Sequence, residues 1–419
     1  MSGPGRVRER PVSGASQLDR NAPPLVAPLV ALLVALTGCG YTPAMARSAW
    51  GTGTTLPHPA QPVIYCCSDP KDPYTFIALG DGMLDRGRAD SAAAAFFWAS
   101  RLDPTMAHPY YARSVALLLT YARQVQQIFT NDIWVPTGTI PRWRAEIIDS
   151  LRREALSRDP FLAARYEHLL TGRPPIALLA TVGDEAVRGY WLYDIGETAM
   201  ADSLLGVALA KEPGRAHLRE IRARAEYDLG RYDSAAVQLR ILLDTLSHRD
   251  SSSRALAYTS KEMIYYALGY THAQRGDTAA ARLAFESAIG ENAAFYPAHA
   301  RLATLAVKRS DGATAVRELG LATELAPDDP SLRLFYGAAL LDAGSAGRAA
   351  VELLKAIDLD PYFAKPYFFL GKAHEARADA ARAADAYEEY ASRERFNSPE
   401  RVWAQAYADT LRSRLSHSP

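Results

Sequence analysis

Residues 262–295 read EMIYYALGYTHAQRGDTAAARLAFESAIGENAAF, and the same 34-residue spacing of small and large side chains recurs in residues 296–329, 330–363 and 364–397. The eighth residue of each copy is small, namely Gly269, Ala303, Gly337 and Gly371. The twentieth is always alanine, and the twenty-fourth is large, namely Phe285, Leu319, Leu353 and Tyr387. Four copies in one register predict a row of similar structural units laid end to end.

Each copy contains two helical patterns. Apolar residues recur at i, i+3, i+4 and i+7 in both halves, which is typical of amphipathic helices. Gly276 and Gly344 fall between the halves, where a helix ends and a left-handed residue is favoured. Pro327 and Pro361 follow the second half and end it, because proline cannot continue a helix. Each copy is therefore predicted to be a helix-turn-helix unit whose small residues let the two helices approach closely.

The period and the side chains resemble those of the tetratricopeptide repeat family. In the first copy the resemblance is carried by Tyr265, Leu268, Gly269, Ala281, Phe285 and Ala288. The same copy departs from the family at Ala293, where proline is usual. The resemblance implies an all-α fold, a right-handed superhelix of stacked helix pairs that binds protein or peptide partners.

The pattern also covers most of the chain before the four copies. One copy and an interrupted second copy, with a predicted loop at Thr130–Arg142, make up residues 73–181. Two further copies occupy residues 182–249. After the four contiguous copies at 262–397, a helix in residues 398–419 is predicted to cap the last repeat.

Residues 1–38 resemble a bacterial lipoprotein signal peptide. Four arginines precede an apolar run, Leu25–Leu36, which is too short for a membrane-spanning helix and is interrupted by Pro28. The run ends in Leu-Thr-Gly before Cys39, which resembles the sequence at which lipoproteins are cleaved and lipidated. The resemblance implies a lipid anchor on Cys39 in the cell envelope, and Gly40 favours the periplasmic face of the outer membrane.

Residues 39–72 are rich in Gly, Thr and Pro and are predicted to form a flexible tether. They contain Cys66 and Cys67, whose Cα atoms would lie about 3.8 Å apart across a trans peptide bond. A disulfide prefers a Cα separation of roughly 4.4–6.8 Å, so a bridge between these neighbours would be strained. The pair can form that bridge, stay as two thiols or bridge to another molecule.

Composition and motifs argue against several functional classes. Lys plus Arg and Asp plus Glu each number 47, so no net charge favours binding of nucleic acid. The sequence contains none of the familiar metal-binding, nucleophile or phosphate-binding motifs. We therefore expect no enzymatic activity, no catalytic residue, no metal and no cofactor. His272 and His374 share one repeat position and are expected to be packed residues rather than ligands.

The concave inner wall of a tetratricopeptide superhelix is built from the first helix of each repeat. In this chain the corresponding positions, the candidate partner-binding residues, are Tyr190, Tyr193, Arg224, Tyr227, Tyr266, Tyr270, Arg301, Lys308, Phe335, Lys365, Phe368 and Lys372. Rings provide contact area at low entropic cost and cations fix the register, so this mixture favours an extended or acidic peptide. A carrier of a glycan, bound to the aromatic wall, is the alternative. The preferred prediction is a lipid-anchored scaffold that supports the assembly of envelope complexes.

Overall fold

The computed structural model describes residues 58–64, 68–126, 142–162, 184–247 and 260–416, apart from the side chains of residues 121–126, 142 and 247. Several predictions lie outside these ranges. They concern the signal peptide, Cys39, Cys66 and Cys67, and the loop predicted at Thr130–Arg142, of which only the last residue is described.

The described part of the chain folds into seventeen α-helices and contains no strand, which confirms the prediction of an all-α repeat fold. The helices are α1 (Pro73–Asp85), α2 (Ala89–Leu102), α3 (His108–Gln126), α4 (Arg142–Arg158), α5 (Glu185–Asp194), α6 (Thr198–Lys211), α7 (Ala216–Asp228), α8 (Tyr232–Ser247), α9 (Lys261–Gln274), α10 (Thr278–Glu291), α11 (Tyr296–Lys308), α12 (Gly312–Leu325), α13 (Pro330–Asp342), α14 (Ala346–Leu359), α15 (Lys365–Glu375), α16 (Ala380–Arg393) and α17 (Pro399–Ser416).

The helices pack in chain order in two stretches. Helices α1–α4 contact one another in sequence, and so do α5–α17. We call the first stretch, together with residues 159–162 that follow it, the N-terminal arm, and the second stretch the main array. Within the main array α5 also touches α7, and α13 touches α15, so the first helices of successive repeats lie side by side. The main array therefore has one wall made of first helices, as expected for a superhelix of helix pairs.

Packing inside each repeat follows the positions predicted to be small and large. A Cβ atom added to Gly269 would lie 2.5 Å from Cε1 of Phe285, and one added to Gly337 would lie 2.7 Å from Cγ of Leu353. Ala349, at the twentieth position, is fully buried. The eighth residue must therefore be small, because the twenty-fourth side chain of the same repeat fills the space above it.

The turn between the two helices of a repeat fixes one residue in the left-handed region. Gly276 has a φ of 84° and Gly344 has a φ of 74°, in agreement with the role predicted for them. Two other repeats carry Ser310 and Ala378 at the same position, both with a φ of 59°. A side chain at such a φ is strained, because its Cβ approaches the backbone.

Residues 58–64 belong to the predicted tether, yet they lie against the N-terminal arm. Trp98 Nε1 donates a hydrogen bond to the carbonyl of Pro59 over 3.0 Å. The rings of His58 and Phe97 meet edge to face with centroids 5.2 Å apart, and Ile64 packs into the same apolar group. This part of residues 39–72 is therefore packed on α2.

Candidate functional site

The predicted wall residues are carried by six first helices of the main array. Tyr190 and Tyr193 lie on α5, Arg224 and Tyr227 on α7, Tyr266 and Tyr270 on α9, Arg301 and Lys308 on α11, Phe335 on α13, and Lys365, Phe368 and Lys372 on α15. Since neighbouring first helices lie side by side, these residues follow one wall. The structure divides them into a part covered by the protein's own chain and a part exposed to solvent.

The covered part lies under residues 157–162, which begin in the last turn of α4 and continue beyond its end, and which we call the wall segment. The ring of Phe161 stacks on that of Tyr227, with centroids 3.8 Å apart and planes 4° from parallel. Its centroid also lies 6.4 Å from that of Tyr270, and only 2% of Phe161 is exposed. One ring of the N-terminal arm is thus inserted between α7 and α9 of the wall.

Two carbonyl groups of the wall segment accept hydrogen bonds from the wall. Tyr266 Oη donates to the carbonyl of Ser157 over 2.5 Å, and Arg301 Nη2 donates to the carbonyl of Arg158. Arg301 Nε donates to Tyr266 Oη over 3.0 Å, and its guanidinium lies 4.8 Å from the centre of the Tyr270 ring. Burial raises the pKa of Tyr266, so its hydroxyl stays neutral and available as a donor.

The wall segment also carries an acidic side chain into this region. Asp159 accepts a hydrogen bond from the backbone N–H of Phe161 over 2.9 Å. Burial raises the pKa of Asp159, and the positive charges of Arg301 and Arg224 act in the opposite direction. Arg224 is itself buried and paired with Glu220, their Nη2 and Oε1 atoms being 3.0 Å apart. The acidic residue therefore lies in the field of the wall's cations.

Arg158 joins the N-terminal arm to the repeat that begins with α13. Its Nη2 atom lies 3.0 Å from Oδ2 of Asp329, which is the N-cap of α13. Its Nε donates to the carbonyl of Pro104 over 2.7 Å, and its guanidinium lies 4.5 Å from the centre of the Tyr110 ring. This side chain thus contacts three separate parts of the fold.

The other end of the N-terminal arm meets the last repeats. Arg101 Nε lies 3.0 Å from Oδ2 of Asp360, and the rings of Trp98 and Tyr362 meet edge to face with centroids 4.9 Å apart. Lys365 Nζ lies 3.2 Å from Oδ2 of Asp103. The arm therefore runs along the wall in the direction opposite to the repeats, since residue 161 lies on α7 and α9 and residue 103 on α15.

The remaining predicted residues have different surroundings. Phe335 is 44% exposed, and Lys308 and Lys372 are exposed. Phe368 is half-buried, with Lys372 Nζ 4.8 Å above its ring and the ring of Tyr390 5.3 Å away. Phe335, Lys308 and Lys372 thus form the part of the wall that is open to solvent, whereas Lys365 is paired with Asp103 of the N-terminal arm.

Other residues at this site were not singled out from the sequence. Phe161, Arg158, Asp329 and Asp360 mediate the contact between the N-terminal arm and the main array. The run of Asp159 and the following proline has the pattern of an ordinary repeat end, and nothing in its spacing indicates a contact with distant repeats. His272 and His374 are buried, as predicted for packed residues.

The described residues form neither a metal site nor a membrane-spanning helix. Among them no cluster of three or more His, Cys, Asp or Glu side chains has the geometry to hold a metal ion. Of the helices in the described ranges, none combines the length and the apolar character needed to cross a bilayer.

Comparison with known proteins identifies the kind of repeat that the chain contains. Residues 300–362 match the family model of the tetratricopeptide repeat. This stretch of the chain therefore has the sequence of tetratricopeptide repeats, and the helix pairs on both sides of it are likewise paired helices of similar length. Proteins built from these repeats generally serve as non-catalytic scaffolds for protein or peptide partners.

A curated relative and two solved structures are similar to parts of the chain. The TPR repeat-containing protein PA0015 of Pseudomonas aeruginosa is 40% identical over 62 residues, which are 15% of this chain and 59% of that protein. The C-terminal part of a repeat protein from Cytophaga hutchinsonii matches with a TM-score of 0.42 and 16% identity, over 49% of this chain and 78% of that one. YrrB, described as a TPR protein with an unusual peptide-binding site, matches with a TM-score of 0.38 and 17% identity, over 50% of this chain and 97% of that one.

Proposed function

We propose that this protein is a lipid-anchored scaffold of the bacterial cell envelope, which binds protein or peptide partners along the wall of first helices and supports the assembly of envelope complexes. The observation that carries the proposal is the seating of a polypeptide segment on this wall. Tyr266 and Arg301 hold main-chain carbonyls, and Tyr227 receives a ring. Carbonyl groups are common to all polypeptides, so the same donors can hold a segment of another protein.

The open part of the wall is where a partner has access in the structure as it stands. Phe335 on α13 exposes part of its ring, and Lys308 and Lys372 are exposed cations on the first helices α11 and α15. An exposed ring and exposed cations on the first helices of successive repeats suit a peptide with an apolar side chain and acidic residues. The glycan alternative is less favoured, because Tyr266 is fully buried and Tyr227 is stacked on Phe161.

A site-specific crosslinking experiment in native membranes tests the scaffold proposal. A photoreactive amino acid placed at Phe335, on the open wall, is expected to capture one or a few defined proteins. The matched control carries it at Val351 on α14, which is 51% exposed, whereas Phe335 is 44% exposed. Adducts that are absent at Phe335, or identical at both positions, would contradict binding on the wall.

The lipid anchor is tested separately through Cys39. We predict that Cys39→Ala abolishes fatty-acid labelling and releases the protein from membranes. The proposed acyl chains are attached at Cys39, and stable anchoring needs more than one such chain. Metabolic labelling followed by membrane fractionation is the measurement. Cys66→Ala is the control and should remain labelled and membrane-bound. A soluble, unlabelled wild-type protein would rule out the anchor.

A further inference from the structure

The N-terminal arm has a core of its own. Leu84, Phe96, Val115 and Ala155 belong to one apolar cluster whose members all lie in the arm. Phe161 is different, since it packs in a cluster with residues of α7 to α10 in the main array. The arm is therefore a packed unit of four helices that places one large apolar side chain in the core of another unit.

The rest of the described contact between the N-terminal arm and the main array combines ion pairs with the edge-to-face contact of Trp98 and Tyr362. It includes the ion pairs of Arg158 with Asp329, Arg101 with Asp360 and Lys365 with Asp103. Ion pairs around a few buried aromatic side chains, here Phe161 and Trp98, are typical of interfaces that form and separate, rather than of the inside of a domain. Phe161 and the groups of Ser157, Arg158 and Asp159 that face the wall are close together in sequence, within the wall segment.

The wall segment presents a defined set of groups to the wall. These are the ring of Phe161, the carboxylate of Asp159 and the carbonyls of Ser157 and Arg158. On the wall the Phe161 ring meets the rings of Tyr227 and Tyr270, and the two carbonyls meet Tyr266 Oη and Arg301 Nη2, while Asp159 lies in the electrostatic field of Arg301 and Arg224. This complementarity defines what the covered part of the wall recognises, namely an acidic residue followed within two positions by an aromatic one, at the end of a helix.

We propose that the wall segment is an intramolecular ligand of the covered wall, and that a partner segment of the same chemistry binds there by displacing it. The inference deepens the scaffold function proposed above and rests on it. A partner then binds only to molecules whose wall segment has left the wall, which we call open. The apparent affinity is therefore the intrinsic affinity multiplied by the fraction of open molecules. If one molecule in ten or fewer is open, the affinity falls at least about tenfold.

A peptide taken from the chain itself provides the probe. A fluorescent peptide with the sequence of residues 154–162, EALSRDPFL, is titrated into the full-length protein in detergent, and binding is followed by fluorescence anisotropy. We expect Phe161→Ala protein to bind this peptide at least tenfold more tightly than wild-type protein does. A peptide in which alanine replaces the phenylalanine should bind neither protein. Equal affinities for the two proteins, or no binding to either, would overturn the proposal.

Loss of a buried ring also lowers stability, so the variant needs a matched control. Leu340→Ala removes a fully buried side chain of α13 that packs in a different apolar cluster. It should bind the peptide as weakly as wild-type protein does. Tight binding by Leu340→Ala would show that general loosening of the fold is responsible, and the proposal would be wrong.

Hydrogen exchange on wild-type protein tests displacement without any variant. The N–H of Phe161 is bonded to Asp159 Oδ1, and the N–H of Leu162 to the Asp159 carbonyl over 3.3 Å. Saturating peptide should speed exchange in the wall segment and leave α17 unchanged. Bound peptide without faster exchange there would contradict displacement. The crosslinking at Phe335 can succeed in that case, so failure of this inference is distinguishable from failure of the scaffold proposal.

Discussion

Ala378 and Ser310 carry the residue-level strain of the fold. In five described repeats the corresponding turn residue is glycine with a φ between 70° and 89°, namely Gly87, Gly196, Gly230, Gly276 and Gly344. Ala378 and Ser310 keep the same turn with a φ of 59°. The packing of the two helices thus holds this residue in the left-handed region even where its side chain disfavours it.

We predict that Ala378→Gly stabilises the protein by up to about 1 kcal/mol. A residue with a Cβ in the left-handed region costs roughly 1–2 kcal/mol, and the larger backbone entropy that glycine loses on folding offsets part of the gain from removing it. The reverse change, Gly344→Ala, should destabilise it by about 1 kcal/mol. Urea denaturation of both variants is the measurement. Shifts of the same sign in the two variants would refute the explanation.

Asp360 makes stability depend on pH. Burial raises its pKa to about 7, and the nearby Arg101 opposes this shift. Its pKa is higher in the folded than in the unfolded chain, so the folded state holds more protons between about pH 4 and pH 7. Stability should therefore fall as the pH rises through that range.

Asp360→Asn keeps the oxygen that accepts from Tyr362 N–H, over 3.1 Å in the structure, and removes the titration. We predict that the loss of stability between pH 5 and pH 8 is smaller in this variant than in wild-type protein. Denaturation at both pH values measures the difference. Parallel pH profiles would show that other buried carboxyl groups, such as Asp159 and Glu154, account for the whole dependence.

At the level of the helix, the twentieth position of each repeat is where the two helices of a pair touch. We predict that Ala349→Phe, in α14, destabilises the protein by at least roughly 1–3 kcal/mol through overpacking, because Ala349 is fully buried. Val351→Phe on the same helix is the control, since Val351 is 51% exposed, and it should change stability by less than about 0.5 kcal/mol. Thermal or urea melts that do not separate the two variants would mean that the register is wrong.

The helices themselves were largely predictable. Their pattern is local, because the eighth and twenty-fourth residues of one repeat contact each other, as Gly337 and Leu353 do. The capping helix, predicted from Pro399 onward, begins there and ends at Ser416. The sequence also predicts a short helix at Phe161–Leu170, of which the structure describes only Phe161 and Leu162, in a turn and irregular backbone.

The site was predictable only in part. Repeat positions placed Tyr227 and Tyr270 on one wall, but periodicity carries no information about which segment of the chain lies on them. The contact with Phe161 joins an irregular segment to a repeat far away in sequence, so no spacing rule could indicate it. Tyr266 therefore reads as a binding residue in the sequence and is fully buried in the structure.

At the level of the whole molecule, substitutions on the open part of the wall should affect the binding of a partner captured by crosslinking in two different ways. Phe335→Ala should weaken binding at any salt concentration, because buried apolar area is not screened. Lys372→Glu should mainly slow association, and its effect should shrink when salt rises above 0.1 M, where the Debye length is about 10 Å. Binding kinetics at two salt concentrations measure both. An effect of Lys372→Glu that does not change with salt would contradict this assignment.

The antiparallel course of the N-terminal arm has a consequence for the time at which the protein becomes complete. Asp103 and Lys365, which touch in the folded chain, are 262 residues apart in sequence. At roughly 5–20 residues per second, synthesis needs about 15–50 s to pass from one to the other. During that time Trp98 has no Tyr362 beside it, and Arg101 has no Asp360. Until the last repeats have been made, the aromatic and cationic side chains of the arm that face them therefore have no partner within the chain.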